Sequence, residues 1–309
     1  MRRLCVVSLN PAIDAEWRVD DVLWEEKNVV HSQRRWAGGK GVNVARWLDF
    51  LGASPELLMP LGGDTGRELL ADVRSHGLRV RVVPLLEATR VNVVVTTAQG
   101  RQMRFNPPGP KLSAREWAAV LQAVGVVARS GADLILSGAL PRGVPADAYA
   151  KLTRLAHRFG RRVFLDCDGE ALRRGAIARP FLVKPNLHEL SGWAGRRLAG
   201  RSAVEQAALA LSTQTRGWVL VSLGADGGLL VHAGQGVVER RPAPRARVVN
   251  TVGAGDAMLA AACLWAEQGA EPAPWLRGAV EAGSAATRCP AGLLPGEAVR
   301  RKLLRSAGS

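Results

Sequence analysis

Apolar segments of strand length alternate with segments of helical periodicity along most of this chain. Runs rich in leucine and valine predict buried strands at Leu4–Leu9, Asp133–Leu136, Val163–Leu165 and Val219–Leu223. Between them, apolar residues recur at helical spacing, as in Val44/Leu48/Leu51 and Trp117/Leu121/Val124. Strands that are apolar throughout and separated by helices are typical of a parallel sheet covered on both faces. We therefore predict an α/β fold with three layers, in which helices flank a mostly parallel central sheet.

Two segments break this alternation. Residues Ile13 to about Trp36 alternate between polar and apolar without a helical period, and Arg90–Phe105 resembles a hairpin that turns near Gln99-Gly100. Two β excursions from an α/β body predict a small second sheet that forms a lid over one end of the main sheet. The chain shows no internal repeat or flexible linker. We predict a single domain over residues 1–309, with a lid formed by about residues 13–36 and 88–107.

The charge of the chain limits its partners. It has 42 Lys and Arg against 27 Asp and Glu, a formal net charge of +15. Such a charge can indicate nucleic-acid binding. Here, however, the arginines are scattered as doublets, without a clustered run or the interleaved aromatic residues of a nucleic-acid surface. Nucleic acid is therefore not an expected partner. A genome biased toward arginine codons and an enzyme that handles polyanionic substrates would both give this charge.

Hydropathy and the spacing of the cysteines indicate in which cellular compartment the protein is expected. No apolar run approaches the roughly 18 residues that span a bilayer, so no membrane association is expected. The four cysteines (Cys5, Cys167, Cys263 and Cys289) lie far apart and form no CxxC pair. This usage fits a reducing compartment and gives no metal-site spacing. We predict a cytoplasmic protein whose cysteines act as small buried hydrophobes.

One glycine-rich segment, Asn250–Asp256 (NTVGAGD), precedes an alanine-rich helical stretch. Small residues at a helix start expose backbone N–H groups, and the helix dipole adds positive potential, so a phosphate can bind there. An aspartate just inside that helix can accept a proton from a substrate hydroxyl. We predict that Asp256 is a catalytic base and that the N–H groups of Gly253, Ala254 and Gly255 bind the transferred phosphoryl group. The alternative is an ordinary glycine-rich loop with a capping aspartate.

A second glycine-rich segment, Trp36–Ala45 (WAGGKGVNVA), leads directly into an amphipathic helix. Exposed backbone, the ammonium of Lys40 and the amide of Asn43 suit a hydroxyl-rich or phosphorylated ligand. The segment lacks the GxxxxGK[ST] pattern of a P-loop. A plain helix-capping loop is the alternative here.

In this order, the two segments resemble the signature regions of the PfkB, or ribokinase-like, carbohydrate kinases. Other family motifs have similar segments in the same order: Ser8–Asp14 (SLNPAID), Leu61–Gly66 (LGGDTG), Leu136–Pro141 (LSGALP), Val183–Leu190 (VKPNLHEL) and Val221–Gly227 (VSLGADG). The resemblance is strongest to the branch that phosphorylates ketohexose phosphates, which includes 1-phosphofructokinase, tagatose-6-phosphate kinase and the minor 6-phosphofructokinase. It implies a ribokinase-like fold, ATP and Mg²⁺ as cofactors, with a monovalent cation as a further candidate, and a homodimer formed through the lid.

The resemblance also implies roles for particular residues. Asp256, Gly253, Ala254 and Gly255 are the expected catalytic group. Substrate hydroxyls are expected at Asp14, Gly38, Gly39, Asn43, Asn92 and Ser137, and the phosphate already on the substrate at Lys40, Arg90 and Arg104. The expected nucleotide-binding residues are Lys184, Asn186, Ser222, Gly224, Gly227, Thr251 and Gly283. Mg²⁺ is expected at Asn186 and Glu189, mostly through water; a helix cap followed by an acidic first turn is the simpler interpretation of that pair.

Two cations, Lys40 and Arg90, lie in segments otherwise suited to sugar hydroxyls, and a phosphate on the substrate explains both. The AGGKG and TRVN segments resemble those of the 1-phosphofructokinases, and this resemblance implies phosphorylation of fructose 1-phosphate to fructose 1,6-bisphosphate as the first choice. The alternatives are 6-phosphofructokinase or tagatose-6-phosphate kinase, because Arg104 resembles the 6-phosphofructokinase branch. A free-sugar or nucleoside kinase and a catalytically retired, basic binding module remain further alternatives.

Overall fold

The structure is a computed structural model that describes residues 3–306. Its strands are β1 (Arg3–Val7), β2 (Ala12–Val19), β3 (Ser32–Gly38), β4 (Glu56–Gly62), β5 (Arg79–Leu85), β6 (Arg90–Thr97), β7 (Gln102–Phe105), β8 (Ala132–Ser137), β9 (Val163–Asp166), β10 (Leu182–Val183), β11 (Trp218–Ser222), β12 (Gly228–His232) and β13 (Val237–Arg241). Its helices are α1 (Lys40–Phe50), α2 (Gly63–Ser75), α3 (Ala114–Arg129), α4 (Ala148–His157), α5 (Gly169–Ile177), α6 (Leu187–Ala194), α7 (Gly200–Thr215), α8 (Ala254–Glu267), α9 (Pro272–Ala286) and α10 (Glu297–Ser306).

The main sheet has nine strands in the order β13-β12-β11-β10-β9-β8-β1-β4-β5. All neighbours from β11 to β5 pair in parallel, whereas β12 and β13 add an antiparallel edge. The predicted α/β fold with a mostly parallel sheet is therefore confirmed. Between residues 3 and 306, no helix has both the length and the apolar character needed to cross a bilayer.

Two hydrophobic cores lie on opposite faces of this sheet. In β1, Leu4 and Val6 belong to one core, and Cys5 and Val7 belong to the other. Helices α1, α2, α8, α9 and α10 contribute to the first core, and α3 to α7 contribute to the second. Because both faces bury apolar surface, worth roughly 25 cal/mol per Å², the inner strands are mostly apolar on both faces, which is why they were recognisable in the sequence.

The second sheet has four strands in the order β3-β2-β6-β7. Strands β2 and β6 pair in parallel, and the predicted hairpin is present as the antiparallel pair β6 and β7. Gly100 lies in its turn with φ 78°, a conformation that favours glycine. The sheet spans residues 12–38 and 90–105, close to the predicted lid segments. That this sheet acts as a lid remains a prediction.

The parallel strands bring the predicted motifs to one edge of the main sheet. Their carboxyl ends are followed by Ser8 after β1 and Lys184 after β10, while Ser137 and Ser222 are the last residues of β8 and β11. In open α/β sheets, ligands bind at this edge. Helix α8, which carries the NTVGAGD segment, packs against α1, which carries the AGGKG segment. The two glycine-rich segments therefore meet, although more than 200 residues separate them.

Candidate active site

The NTVGAGD segment forms the N-terminal end of α8. Gly253 is the N-cap residue with a left-handed backbone (φ 85°), and Ala254 is the first helical residue. The first N–H groups of a helix lack acceptors within the helix, so they are available to an anion. The N–H groups of Ala254 and Gly255 are at this end, as the sequence predicted, while the segment's Thr251 carbonyl accepts the Ala254 N–H at 3.4 Å.

Asp256 lies in the first turn of α8 and is only 6% exposed. Its Oδ2 accepts a hydrogen bond from Asn43 Nδ2 at 2.8 Å. Burial raises the pKa of Asp256 to about 6 and the charge of Asp166 acts in the same direction, whereas the Asn43 hydrogen bond, Lys40 and Lys184 act against the rise. A carboxylate with a pKa close to neutrality can both hold and release a proton, as a general base must.

Asp14 and Asn92 face each other on β2 and β6. They are paired in register, and Asn92 Nδ2 donates to Asp14 Oδ1 at 2.8 Å. Gly38 lies against the same carboxylate, since a Cβ at this position would be 2.0 Å from Asp14 Oδ2. Asn92 Oδ1 is buried with no hydrogen-bond partner among the described residues. Buried polar atoms without a partner are rare, so this acid–amide pair is a candidate binding site for hydroxyl groups.

A cavity extends from Asp14 to the start of α8. Its lining includes Asp14, Asn43, Gly253, Trp36 and residues 290–294. A Cβ on Gly292 would be 2.7 Å from Trp36 Nε1, so this segment packs tightly against β3. Sequence reasoning missed residues 290–294, because no chemistry-bearing side chain marks them. The cavity thus lies between Asp14 and Asn43, the residue that donates a hydrogen bond to Asp256.

Two lysines and two buried carboxylates form a cluster beside the same helix start. Lys40 Nζ is 3.0 Å from Glu189 Oε1 and 3.2 Å from Asp166 Oδ1, and Lys184 Nζ is 3.4 Å from Asp166 Oδ2. A Cβ on Gly255 would be 3.2 Å from Lys184 Nζ, which places this ammonium against the start of α8. Burial opposes ionisation of Asp166, but the charges of Lys184 and Lys40 outweigh burial and lower its pKa.

Asp166 is a candidate functional residue that sequence reasoning missed. It is the last residue of β9, after the apolar run Val163–Leu165, and it is 1% exposed. A carboxylate at the end of a buried parallel strand lies at the binding edge of the sheet. The sequence signal for Asp166 is therefore its place directly after an apolar run, and it belongs to none of the motifs described above.

The two cations predicted to share the substrate's phosphate make separate contacts. Arg90 donates through Nη1 to Pro107 O at 2.8 Å and through Nη2 to Asn10 O at 3.1 Å. Its Nε is buried and, among residues 3–306, has no hydrogen-bond partner. The charge of Arg90 acts on Asp14, so Arg90 belongs to the hydroxyl-binding side. Lys40 instead contacts the carboxylates of Asp166 and Glu189.

Three other predicted substrate residues, Arg104, Ser137 and Gly39, lie on different elements. Arg104 is exposed on β7, where its Nη2 donates to Gln102 Oε1 at 2.9 Å. Ser137 is buried at the end of β8, and its Oγ has no hydrogen-bond partner in the part of the chain that the structure describes. Gly39, the N-cap residue of α1, directly precedes Lys40. Ser137 and Gly39 therefore lie at the site edge, and Arg104 lies on the second sheet.

Asn186 and Glu189 form a capping box at the start of α6. Asn186 Oδ1 accepts the N–H of Glu189, and Glu189 Oε2 accepts the N–H of Asn186, each at 2.8 Å. The two residues therefore do form the helix cap, and the other oxygen of Glu189 contacts Lys40.

Between residues 3 and 306, no three Asp, Glu, His or Cys side chains are clustered as metal ligands. Mg²⁺ binds through one or two carboxylates with phosphate oxygens and water, and this oxygen-donor pair fits that requirement.

Among the remaining predicted nucleotide residues, Ser222 contacts the capping box of α6. Ser222 forms an isolated bridge with Asn186, and its N–H donates to Pro185 O at 3.0 Å. Gly224 begins a short 3₁₀ turn, after which Gly227 leads into β12. Gly283 allows α9 to approach α8, since a Cβ there would be 3.2 Å from Ala254 O.

Together, these features define a phosphotransferase that acts on a hydroxylated small molecule. The chain belongs to the pfkB family of carbohydrate kinases, whose match spans residues 1–295. The resemblance predicted from the motifs is thereby confirmed, as is the enzyme class.

Within this family, the chain is similar to several phosphofructokinases. The chain is 38% identical over 260 residues to 1-phosphofructokinase from Rhodobacter capsulatus, which covers 84% of this chain and 82% of the relative. It is 35% identical over 290 residues to ATP-dependent 6-phosphofructokinase isozyme 2 from Escherichia coli K12, covering 93% of each. Solved structures of phosphofructokinase-2 from Escherichia coli match 100% of both chains at 32% identity. Their TM-scores are 0.90 with fructose-6-phosphate, 0.93 with potassium and 0.91 for a tetrameric inhibited form.

Proposed function

We propose that this protein transfers the γ-phosphoryl group of ATP to a hydroxyl of a ketohexose phosphate, with fructose 1-phosphate as the first choice and fructose 1,6-bisphosphate as the product. The observation that carries the proposal is the position of Arg90. Arg90 begins β6 two residues before Asn92, its charge acts on Asp14, and its Nε is buried with no hydrogen-bond partner among residues 3–306. A site for a neutral sugar needs no such cation.

The chain's own residues account for the chemistry. Asp14 and Asn92 hold sugar hydroxyls, with Gly38, Gly39 and Ser137 at the edge of the same site. Asn43 fixes the Asp256 carboxylate through its 2.8 Å hydrogen bond, and Asp256 takes the proton of the attacking hydroxyl. The N–H groups at the start of α8 stabilise negative charge on the phosphoryl group.

Recognition of the substrate's phosphate falls to Arg90 and, on the second sheet, Arg104. A guanidinium binds phosphate through charge-assisted hydrogen bonds, and Arg90 still has Nε available. The relatives named 1-phosphofructokinase and 6-phosphofructokinase support a phosphorylated ketohexose as the acceptor. The higher identity to a 1-phosphofructokinase favours fructose 1-phosphate, and fructose 6-phosphate or tagatose 6-phosphate is the alternative.

The nucleotide and its cations occupy the other half of the site. Lys184 and the loop residues Ser222, Gly224, Gly227, Thr251 and Gly283 bind ATP, with Mg²⁺ held near Asn186 and Glu189. Mg²⁺ held there would neutralise negative charge on the phosphates of ATP. A monovalent cation is a further proposed cofactor, supported by the potassium complex of phosphofructokinase-2 from Escherichia coli.

We also propose that the protein is a homodimer and that it is cytoplasmic. A homodimer through the second sheet is supported by exposed Leu23 and Trp24 on its β2–β3 connection, and the tetrameric form of the Escherichia coli relative supports self-association. The four free cysteines support the reducing environment of the cytoplasm.

The experiment is an acceptor panel with ATP and Mg²⁺, read as ADP release. We expect the highest kcat/KM for fructose 1-phosphate, lower values for fructose 6-phosphate and tagatose 6-phosphate, and little turnover of fructose, ribose or adenosine. Equal efficiency on any unphosphorylated acceptor contradicts the phosphate site. No ADP release above that of the Asp256→Asn variant with any acceptor supports the retired binding module instead.

A further inference from the structure

Lys40 lies between two carboxylates that come from different elements. Its ammonium is 3.2 Å from Asp166 at the end of β9 and 3.0 Å from Glu189 at the start of α6. These carboxylate side chains are only 1% and 7% exposed, whereas the Lys40 side chain is 35% exposed. An ammonium that bridges two buried carboxylates marks a position where the protein requires positive charge.

The same carboxylates are the candidate metal-binding groups of the site. Glu189 belongs to the proposed Mg²⁺ pair, and Asp166 supplies further carboxylate oxygen beside it. Mg²⁺ favours this type of oxygen donor. The Lys40 ammonium therefore contacts the same carboxylate oxygens that could bind a divalent cation.

The position of Lys40 in the fold lets its ammonium change partners. Lys40 is the first residue of α1, directly after Gly39, so its backbone is fixed between the hydroxyl-binding side and the nucleotide side. A lysine side chain has four rotatable bonds and can move its charge while the helix remains in place. The charge of Asp256 also acts on Lys40, which shows that the ammonium lies within electrostatic reach of the proposed base.

We propose that Lys40 is the resident counter-ion of the metal–nucleotide site. In the free enzyme its ammonium neutralises Asp166 and Glu189. When the metal–nucleotide complex binds, Lys40 exchanges these carboxylates for oxygens of the transferring phosphoryl group, while Lys184 keeps its contact with Asp166. The proposal rests on the proposed kinase function and replaces the assignment of Lys40 to the phosphate of the sugar.

The alternative assignment conflicts with the charges of the site. If Lys40 turned towards the substrate's phosphate before any metal bound, Glu189 would lose its closest cation and Asp166 would keep only Lys184 at 3.4 Å. Uncompensated buried charge is strongly unfavourable. Arg90 has no carboxylate contact of this kind among the described residues, so it can serve the substrate's phosphate without this cost.

The proposal predicts competition between Lys40 and a divalent metal. Binding of Mn²⁺ to the full-length protein without nucleotide can be measured by the loss of the free-ion paramagnetic resonance signal. Because Lys40→Met removes the competing charge, we expect it to bind Mn²⁺ about tenfold more tightly than the wild type. Lys40→Arg keeps the charge and should stay within about twofold of the wild type.

Lys151→Met is the matched control, because Lys151 forms an exposed ion pair with Asp147 at 3.1 Å away from the site. We expect wild-type Mn²⁺ affinity from this variant. Circular dichroism establishes that each variant is folded, and if Lys40→Met is not, Lys40→Gln is measured in its place. Unchanged or weaker Mn²⁺ binding by the folded neutral variant overturns the proposal.

Kinetics gives the second readout. Lys40→Met should lower kcat by at least about tenfold and leave the KM for the sugar phosphate within about twofold. A tenfold rise in that KM with unchanged kcat would show that Lys40 binds the substrate's phosphate after all. Failure of the wild type to phosphorylate any sugar phosphate contradicts only the proposed function, since the Mn²⁺ measurement requires no acceptor.

Discussion

At the residue scale, Asp256 and Asp14 are two carboxylates whose pKa values are both raised, although their neighbours act on them differently. Burial raises the pKa of both groups. For Asp14 the Asn92 hydrogen bond and the Arg90 charge oppose the rise, and for Asp256 the charge of Asp166 reinforces it. A carboxylate with raised pKa takes up a proton more readily, which suits the residue at the start of α8 to the role of base.

The pH dependence of catalysis tests this role. Asp256 must be ionised to accept a proton, and its pKa is about 6. We expect kcat/KM, which reports the free enzyme, to fall as the pH decreases through about 6. Asp256→Asn should lower kcat by at least about 10²-fold and abolish this limb of the profile. Near-normal turnover by that variant would remove Asp256 from the base role.

Gly38 offers a test of the hydroxyl-binding pair. An added methyl group would be 2.0 Å from Asp14 Oδ2, so Gly38→Ala must displace that carboxylate. We expect the KM for the sugar phosphate to rise at least about tenfold, with the KM for ATP changed less than about threefold. Gly192→Ala on α6 is the control, because its methyl group would meet nothing within 4 Å. Equal effects of the two substitutions would contradict the role of Asp14.

At the element scale, two helices begin with the same local motif and have different surroundings. Ser113 and Glu116 form a capping box at the start of α3, as Asn186 and Glu189 do at the start of α6. In the first box the other oxygen of Glu116 accepts the N–H of Leu86, whereas in the second box the other oxygen of Glu189 contacts Lys40, 149 positions away in sequence. Local sequence predicts the cap in both cases and cannot separate them, since the difference arises from a side chain that is distant in sequence.

This pair of helices provides a matched test of the metal site. Glu189→Gln retains an oxygen for the capping hydrogen bond and loses the charge, so the protein should stay folded and require at least about fivefold more Mg²⁺ for half-maximal rate. Glu116→Gln makes the same change at α3 and should leave the Mg²⁺ titration unchanged. If both variants titrate as the wild type does, Glu189 is only a helix cap.

The strands show which elements sequence can predict. β1, β8, β9 and β11 are buried on both faces, so they appear as continuous apolar runs. β10 has only two residues, Leu182–Val183, and is too short to produce a pattern. The second sheet was predicted because its strands alternate, but the register that pairs Asp14 with Asn92 depends on contacts between distant segments. The cluster of Lys40, Asp166 and Glu189 depends on such contacts in the same way.

At the scale of the whole molecule, the second sheet is where we expect two copies to meet. Leu23 is 55% exposed and Trp24 is 77% exposed on the β2–β3 connection. Large apolar side chains grouped on one exposed connection are typical of interaction surfaces. We expect the wild type to be a dimer by light scattering at micromolar concentration, and Trp24→Glu to shift it towards monomer.

Ile177→Glu is the control for this prediction. Ile177 ends α5 and is 59% exposed, so the substitution adds the same charge at an exposed apolar residue outside the second sheet. We expect it to leave the dimer intact. A wild-type monomer, or a Trp24→Glu variant with unchanged mass, would show that the second sheet does not hold two copies together.

The most direct test of the account is the ratio of kcat/KM for fructose 1-phosphate to kcat/KM for fructose, in the wild type and in Arg90→Ala. Charge-assisted hydrogen bonds from a guanidinium to phosphate contribute roughly 1.5–3 kcal/mol each. We therefore predict a wild-type ratio of at least about 10³ and a fall of at least about tenfold in Arg90→Ala, through a higher KM for the sugar phosphate, with the KM for ATP nearly constant. A wild-type ratio near one, or a ratio that Arg90→Ala leaves unchanged, would contradict the proposal that this site recognises the phosphate of its substrate.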